Sequence, residues 1–572
     1  MKVKNPFEYE AASNLSVDRI IDFYIEDFNY SRFLQSTKNI FLFGERGSGK
    51  TMTLLYNSFK VQRKKMEKEG KPYDYSYIGV HIPCNTPLFQ KREYLLLNDD
   101  NKRFILCEHY FALYILYSIS LAFEDIDIFT SKKNISELLK IAKYTLGIKI
   151  NSKSTNFFTS IKNFAYRQII STQTVSQTLE NIPMRFSFAS IVIPFIDMLQ
   201  QLQPLKNSHI LLMFDDVQDM NKYQIKMLNS WIAFRDHTSY SFKVATTKVN
   251  KPISITATGG TILEGHDYIS IDMEKTFQNK QSDFYSMAKR IIEKRLKNIG
   301  INKTAEEFFP ENRDFKSDIE NAKNKVTKDA KVKYPNGPQK SISDYIYKYT
   351  RAEYFRCRAK NANLPPYSGF QTIVDLSTGV IRNLLDPCYW MFDSQLSINT
   401  TGNNSEISPK TQNEIIRTRS NKLWEIVHSG LDTQIEGCNS IQAKQIFQLL
   451  DNLMVLFKKR LLAPISEPRA IVFSITNFNT TQYNELLETL RIAQKAQLIY
   501  IRLGSSKELG KQDVYYIPNR MLFPARGLDP HGQYARVSLK AEDLWKAAKD
   551  NIPFPSTDTE SSTQASLNLS YE

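Results

Sequence analysis

The chain has 572 residues, 42% hydrophobic and 24% charged, an ordinary globular composition that excludes a collagen-like or wholly disordered polymer and predicts more than one domain. Lysine and arginine number 75 against 60 acidic residues, a formal charge of +15; this points toward a polyanionic partner such as nucleic acid, although solvated surface lysines produce the same surplus. Five cysteines, none in a CxxC pair, argue against a zinc ribbon or a disulfide scaffold and fit a reduced, cytoplasmic setting.

The opening stretch, MKVKNPFEYEAASNLS, carries no apolar run of the signal-peptide kind. The longest apolar stretch, around Phe111 to Phe123, is shorter than the roughly 18 residues that span a bilayer, and reads as a buried helix. A soluble protein with no membrane partner is expected.

Asn39 to Phe43 is a short apolar run with strand character. It leads into Gly44, Glu45, Arg46, Gly47, Ser48, Gly49, Lys50 and Thr51, and then into a helix-forming stretch from Met52 to Met66. This is GxxxxGKT in its strand–loop–helix setting. The glycines let the backbone curl so that the amides from Gly44 to Met52 face phosphate oxygens, with the helix dipole adding to the attraction. Lys50 is expected to reach the β- and γ-phosphates and the Thr51 hydroxyl to ligate Mg²⁺, so ATP and Mg²⁺ are the expected cofactors. The basic end of the helix (Lys60, Arg63, Lys64, Lys65, Lys68) fits either a nucleic-acid contact or, more simply, a solvated helix end.

Such a loop needs an acid at the end of a neighbouring buried strand. His209 to Phe214 is a continuous apolar run ending in Asp215 and Asp216, as a strand covered on both faces should be. Asp215 is the metal-side residue, and Asp216 stands where a base that polarises water would sit. Between the two motifs, Tyr75 to Ile82 reads as a strand, Cys107 to Phe123 and Ser187 to Leu202 as helices, and 142–184 as a polar, irregular insertion. A helix from Asn221 to Phe234 and strands at Phe242–Thr247 and Asp267–Met273 follow. Thr247, closing its strand, is a candidate γ-phosphate sensor. The alternation predicts an α/β, doubly wound, mostly parallel sheet.

Phe277 to Ile299 reads as a basic helix and Ala305 to Gln339 as an exposed, lysine-rich connection. Ser343 to Ala362 mixes tyrosines with basic residues on a helix, a pattern that fits either core packing or a nucleic-acid clamp. Beyond it, Gly379-Val-Ile-Arg382-Asn-Leu-Leu resembles the "sensor 2" helix of AAA+ ATPases of the origin-recognition-complex type. Asn5-Pro-Phe7, the Gly44–Lys50 loop and Phe214-Asp-Asp-Val-Gln218 are similar to bacterial, uncharacterised or defence-associated members of that group. The resemblance implies a P-loop core, a helical lid from which Arg382 reaches the γ-phosphate, and Asp216 where most members carry Glu, hence slow hydrolysis. It assigns no arginine finger; Arg235 is the best candidate, and an ordinary helix-end cation explains it equally well.

The region from Ser394 to Gln412 turns rich in Ser, Asn and Thr, a boundary signal. A long amphipathic helix at Ser440–Leu462, a strand at Arg469–Thr476, a helix at Tyr483–Ala496 and a hairpin (Leu498–Arg502, Asp513–Ile517) outline a winged helix. Arg491 and Lys495 on the helix, with Lys507 and Lys511 at the wing tip, are its candidate double-stranded DNA contacts. The expected organisation is a nucleotide-binding domain over 1–285, a helical lid over 286–395, a linker over 396–439, a winged helix over 440–552 and a disordered tail over 553–572. The sequence supports an ATPase switch whose nucleotide state controls DNA binding, in replication, mobile-element or antiviral defence biology. The alternative is a signalling NTPase of STAND type that senses a trigger and acts through a protein partner, an effector or a second copy of itself.

Overall fold

A computed structural model describes residues 5–8, 11–26, 30–124, 136, 138, 140, 142–144, 157–176, 186–201, 203–234, 239–248, 254–273, 283–360, 365–398, 406–463, 470–505, 512–532 and 536–555. The chain divides into two compact units, Met1–Thr304 with Gly379–Tyr389, and Ala305–Thr378 with Trp390–Glu572.

The first unit is built on a five-stranded parallel sheet: β1 (Ile40–Phe43), β2 (Tyr77–Pro83), β3 (His209–Asp215), β4 (Tyr240–Thr246) and β5 (Ile269–Asp272). Their order is β2-β3-β4-β1-β5. Every residue of β3 and β4 is buried, as befits central strands covered on both faces, and this explains their near-continuous apolar runs. Contrary to the expectation of a neighbouring strand, the strand bearing Asp215 does not adjoin β1. Strand β4 lies between them, pairing Phe43 with Thr246 on one side and Phe214 with Val244 on the other. The carboxyl ends of the three strands therefore share one edge of the sheet.

Around the sheet stand α1 (Val17–Phe23), α2 (Lys50–Tyr56), α3 (Phe59–Lys68), α4 (Asp100–Phe123), α5 (Phe157–Ser176), α6 (Ile193–Gln200), α7 (Lys222–Ala233) and α8 (Asp283–Lys297). Helix α4 is long and apolar enough to cross a membrane by length and composition, yet it is largely buried. Its Leu106, Phe111, Leu113 and Ile115 join the residues of the sheet in the main hydrophobic core. Residues 157–176, expected to be irregular, form α5 and bury Phe157, Phe158, Ile161, Ala165 and Ile169 in the same core. That spacing is helical, and polar residues on the opposite face hide it in the sequence. Residues 145–156 and 177–184 lie outside the described residues.

The second unit contains α9 (Arg313–Lys333), α10 (Gln339–Lys360), α11 (Phe370–Leu376), α13 (Pro409–Ser429), α14 (Ser440–Leu462), α15 (Asn484–Lys495) and α16 (Ala541–Lys549); α12 (Ile381–Ile398) opens in the first unit. The expected exposed connection at 305–339 is mostly α9, whose buried Phe315, Ala322, Val326 and Ala330 form one stripe among lysines. The expected linker at 396–439 contains α13, which buries Ile416, Trp424 and Val427. Helix α15 precedes an antiparallel ribbon, β7 (Ile499–Ser505) and β8 (Gln512–Pro518). With β6 (Val472–Thr476) and β9 (Arg536–Lys540) the ribbon completes a mixed sheet of order β7-β8-β6-β9. Lys507 and Lys511, the expected wing-tip residues, lie outside the described residues, as does Arg235.

Candidate nucleotide site

The loop from Gly44 to Gly49 leaves β1 and enters α2. It is tied to the sheet by the Gly44 amide, which donates to the Thr246 carbonyl at 3.3 Å. Gly47 and Gly49 have φ of +90° and +100°, the left-handed region where a side chain is strained. Space excludes one at Gly47, where a Cβ would stand 2.8 Å from the Arg382 Cβ, and crowds one at Gly49, where it would stand 3.3 Å from the Ile381 Cδ1. The start of α12 thus lies directly on the loop. The Arg382 amide donates to the Gly47 carbonyl at 3.3 Å.

Lys50 is 6% exposed. Its ammonium folds back over the loop, donating to the carbonyls of Gly44 at 2.9 Å and Glu45 at 3.0 Å. The Thr51 hydroxyl donates to Asp215 Oδ1 at 3.3 Å. A hydroxyl and a carboxylate side by side are the hard oxygen donors that suit Mg²⁺. Among the described residues the Ser48 and Thr246 hydroxyls are buried without a hydrogen-bond partner, an unusual state for polar atoms unless a ligand completes them. The residues present therefore fit a nucleotide with its cation.

Asp215 also faces His81 of β2, whose Nε2 lies 3.1 Å from Oδ2. Asp216 turns sharply, with φ 56° and ψ 41°, and its amide donates back to Asp215 Oδ1 at 3.0 Å. Its carboxylate accepts from the Asn85 amide at 2.7 Å and the Gln218 amide at 2.9 Å. Burial, reinforced by the adjacent Asp215, raises the Asp216 pKa, against the opposing effects of Gln218, Lys50 and Arg46. Asp219 is raised too, by burial and by Asp216. An acidic group so placed takes up a proton readily and is held in place by two amides.

Lys50, Thr51, Asp215 and Asp216 thus come together, and Arg382 meets the loop through its backbone. Thr247 sits half-buried one residue past β4. Two residues of this cluster, His81 and Asn85, carry no sign in the sequence. His81 and Asn85 reach it only because β2 runs parallel to β3, with Pro83 opposite Asp215; no local signal marks them. Gln218 was legible as a polar residue two positions beyond the acid. In the second unit, Arg491 lies 3.8 Å from Glu488, and Lys495 donates to the Glu436 carbonyl at 2.6 Å. Both candidate DNA-contacting cations on α15 therefore stand beside acidic residues.

Among solved structures the chain is similar to the Aeropyrum pernix ORC2 protein in its ADPNP–ADP complexes, at 11% identity and a TM-score of 0.31, covering 96% of this chain and 98% of that one. It is also similar to the Aeropyrum pernix ORC1 protein in complex with DNA, at 9% identity and a TM-score of 0.29, covering 90% and 95%. No match was found among curated proteins. A profile described as ORC-CDC6-like matches residues 5–333 and 315–539, nearly the whole described chain. The chain belongs to the ORC-CDC6-like family.

Proposed function

We propose that the protein is a slow ATPase switch whose nucleotide state governs its grip on double-stranded DNA. The observation that carries the reading is the contact of Thr51 with Asp215 at 3.3 Å beneath a loop that also holds the Arg382 amide. Lys50 would exchange the carbonyls of Gly44 and Glu45 for phosphate oxygens, and the amides of the loop would orient them. Bound Mg²⁺ would supply charge neutralisation between the phosphates. Asp216 would orient water and take its proton; the amides of Asn85 and Gln218 that now hold its carboxylate must yield for it to do so, which supports slow turnover. Arg382, one residue into α12, would make the position of that helix sensitive to what occupies the loop. The charge of +15 and the helix–ribbon module support a DNA partner.

ATP binding and turnover with and without duplex DNA, for wild type, Lys50→Ala and Asp216→Asn, test the reading. Duplex stimulation that vanishes in both variants is the expected result. Tight ATP binding with negligible turnover, indifferent to DNA, would refute it. That outcome would favour the second reading, a signalling NTPase acting through a protein partner, which the pairing of Arg491 and Lys495 with acidic residues supports.

A further inference from the structure

Helices α9 and α10 form an antiparallel hairpin whose two ends differ in chemistry. At its base the hairpin is fixed: Arg351 makes two bonds of 2.9 Å to Asp529, Arg356 donates to the Ala463 carbonyl at 3.2 Å, and Tyr354 is buried. Along the shaft the cations are neutralised in place. Lys316 lies 3.9 Å from Glu311, Lys323 lies 3.5 Å from Glu320, and Lys325 bonds Glu353.

The tip is different. Residues 328–348 carry five lysines, Lys328, Lys331, Lys333, Lys340 and Lys348, against Asp329 and Asp344. All five lysines are exposed, and among the described residues none pairs with a carboxylate. Lys331 and Lys333 close α9, while Lys340 opens α10, so the lysines of both helices gather at one end of the hairpin. Aromatic rings brace the tip: Lys333 lies 5.2 Å over the Tyr345 ring, which packs at 4.3 Å against Tyr349. Beside them Val332 is 82% exposed and Tyr347 63% exposed. Exposed ammonium groups without carboxylate partners, backed by aromatics and set beyond a shaft where Lys316, Lys323 and Lys325 are paired, are the chemistry of a phosphate-backbone contact.

We infer that the α9–α10 tip is a duplex-DNA contact, sequence-independent and separate from the helix–ribbon module. The inference rests on the DNA-binding reading above and places part of that binding at the tip of the hairpin, joining the start of the tyrosine- and lysine-bearing 343–362 segment to the lysines at the end of α9. Lysines act there as point charges toward phosphates, and each one engaged releases counterions, so affinity carries a salt signature.

The test is fluorescence anisotropy of a labelled random-sequence duplex with the full chain and ATP over a salt series. Three proteins are compared: wild type, the tip triple Lys331→Ser, Lys333→Ser, Lys340→Ser, and a charge-matched control, Lys64→Ser, Lys68→Ser, Lys71→Ser. The altered side chains lie at the surface, and an unchanged melting temperature checks that each variant is folded. The tip triple should lose roughly tenfold or more in affinity and flatten the log–log salt slope by about three, with the control unchanged. Wild-type binding that the tip triple leaves intact would overturn this inference and spare the DNA-binding reading. Equal losses in both triples would overturn it as a mere net-charge effect. No binding by wild type would overturn both.

Discussion

The carboxyl edge of the first unit's sheet and the helix–ribbon of the second unit both present charged side chains, and they hold them in opposite ways. At the sheet edge Asp215 and Lys50 are buried and the groups around them are mutually bonded: Thr51 and His81 on Asp215, Asn85 and Gln218 on Asp216, Lys50 on its own loop. Each position is set by a strand end or a glycine turn. On α15 the cations are exposed and lean on nearby acidic residues, Arg491 on Glu488 and Lys495 on Glu436. The difference teaches that charge in a sequence becomes function only where backbone geometry removes the alternatives open to it. Side chains on an open helix settle for whatever acid is near, and such contacts are worth little.

The sharpest way to break the comparison is at Asp216. Asp216→Asn should lower single-turnover hydrolysis about 10²–10⁴-fold while leaving ATP affinity near wild type; equal loss of both would show a structural role instead. Nearly as large an effect is expected in the second unit, where burial does recur. Asp529 is 1% exposed and grips Arg351, so Asp529→Ala should cost about 3–5 kcal/mol in denaturant unfolding of that unit by leaving a guanidinium unpaired. A loss no greater than that of a surface pair would show that the buried joint is not what holds the hairpin base.

Gly47→Ala combines a positive φ with a 2.8 Å approach to Arg382. About 1–2 kcal/mol of strain should appear as roughly tenfold weaker nucleotide binding by calorimetry. Acidity provides a subtler probe. Asp216 must be ionised to act as a base, and its pKa in the fold is raised by burial and Asp215. Turnover should therefore fall on acidification at a midpoint above that of a free aspartate. Gln218→Ala removes a bond that favours the charged form, so it should move that midpoint further up. Smallest of all, Arg491→Ala or Lys495→Ala should change duplex affinity by less than about threefold, since each cation already has an acidic neighbour. A tenfold loss would put α15 on the DNA and restore the sequence expectation.

The loop from Gly44 to Thr51 and the run ending at Asp215 were legible without coordinates because their chemistry is local. A glycine turn opening a helix, and a strand buried on both faces, each leave their mark in consecutive residues. The ribbon of β7 and β8 was legible for the same reason, through alternation about a turn. What depends on packing was not. That β4 separates β1 from β3 follows from sheet order, and His81 and Asn85 reach the acids only across paired strands. Helix α9 was hidden because four buried residues on one stripe suffice to anchor it, while lysines fill the remaining faces and imitate a connection. The sequence by itself determined the chemistry available to this protein. The tertiary structure decided which side chains bury and partner one another, because burial penalises every polar group left alone and so selects among neighbours that a linear chain leaves equivalent.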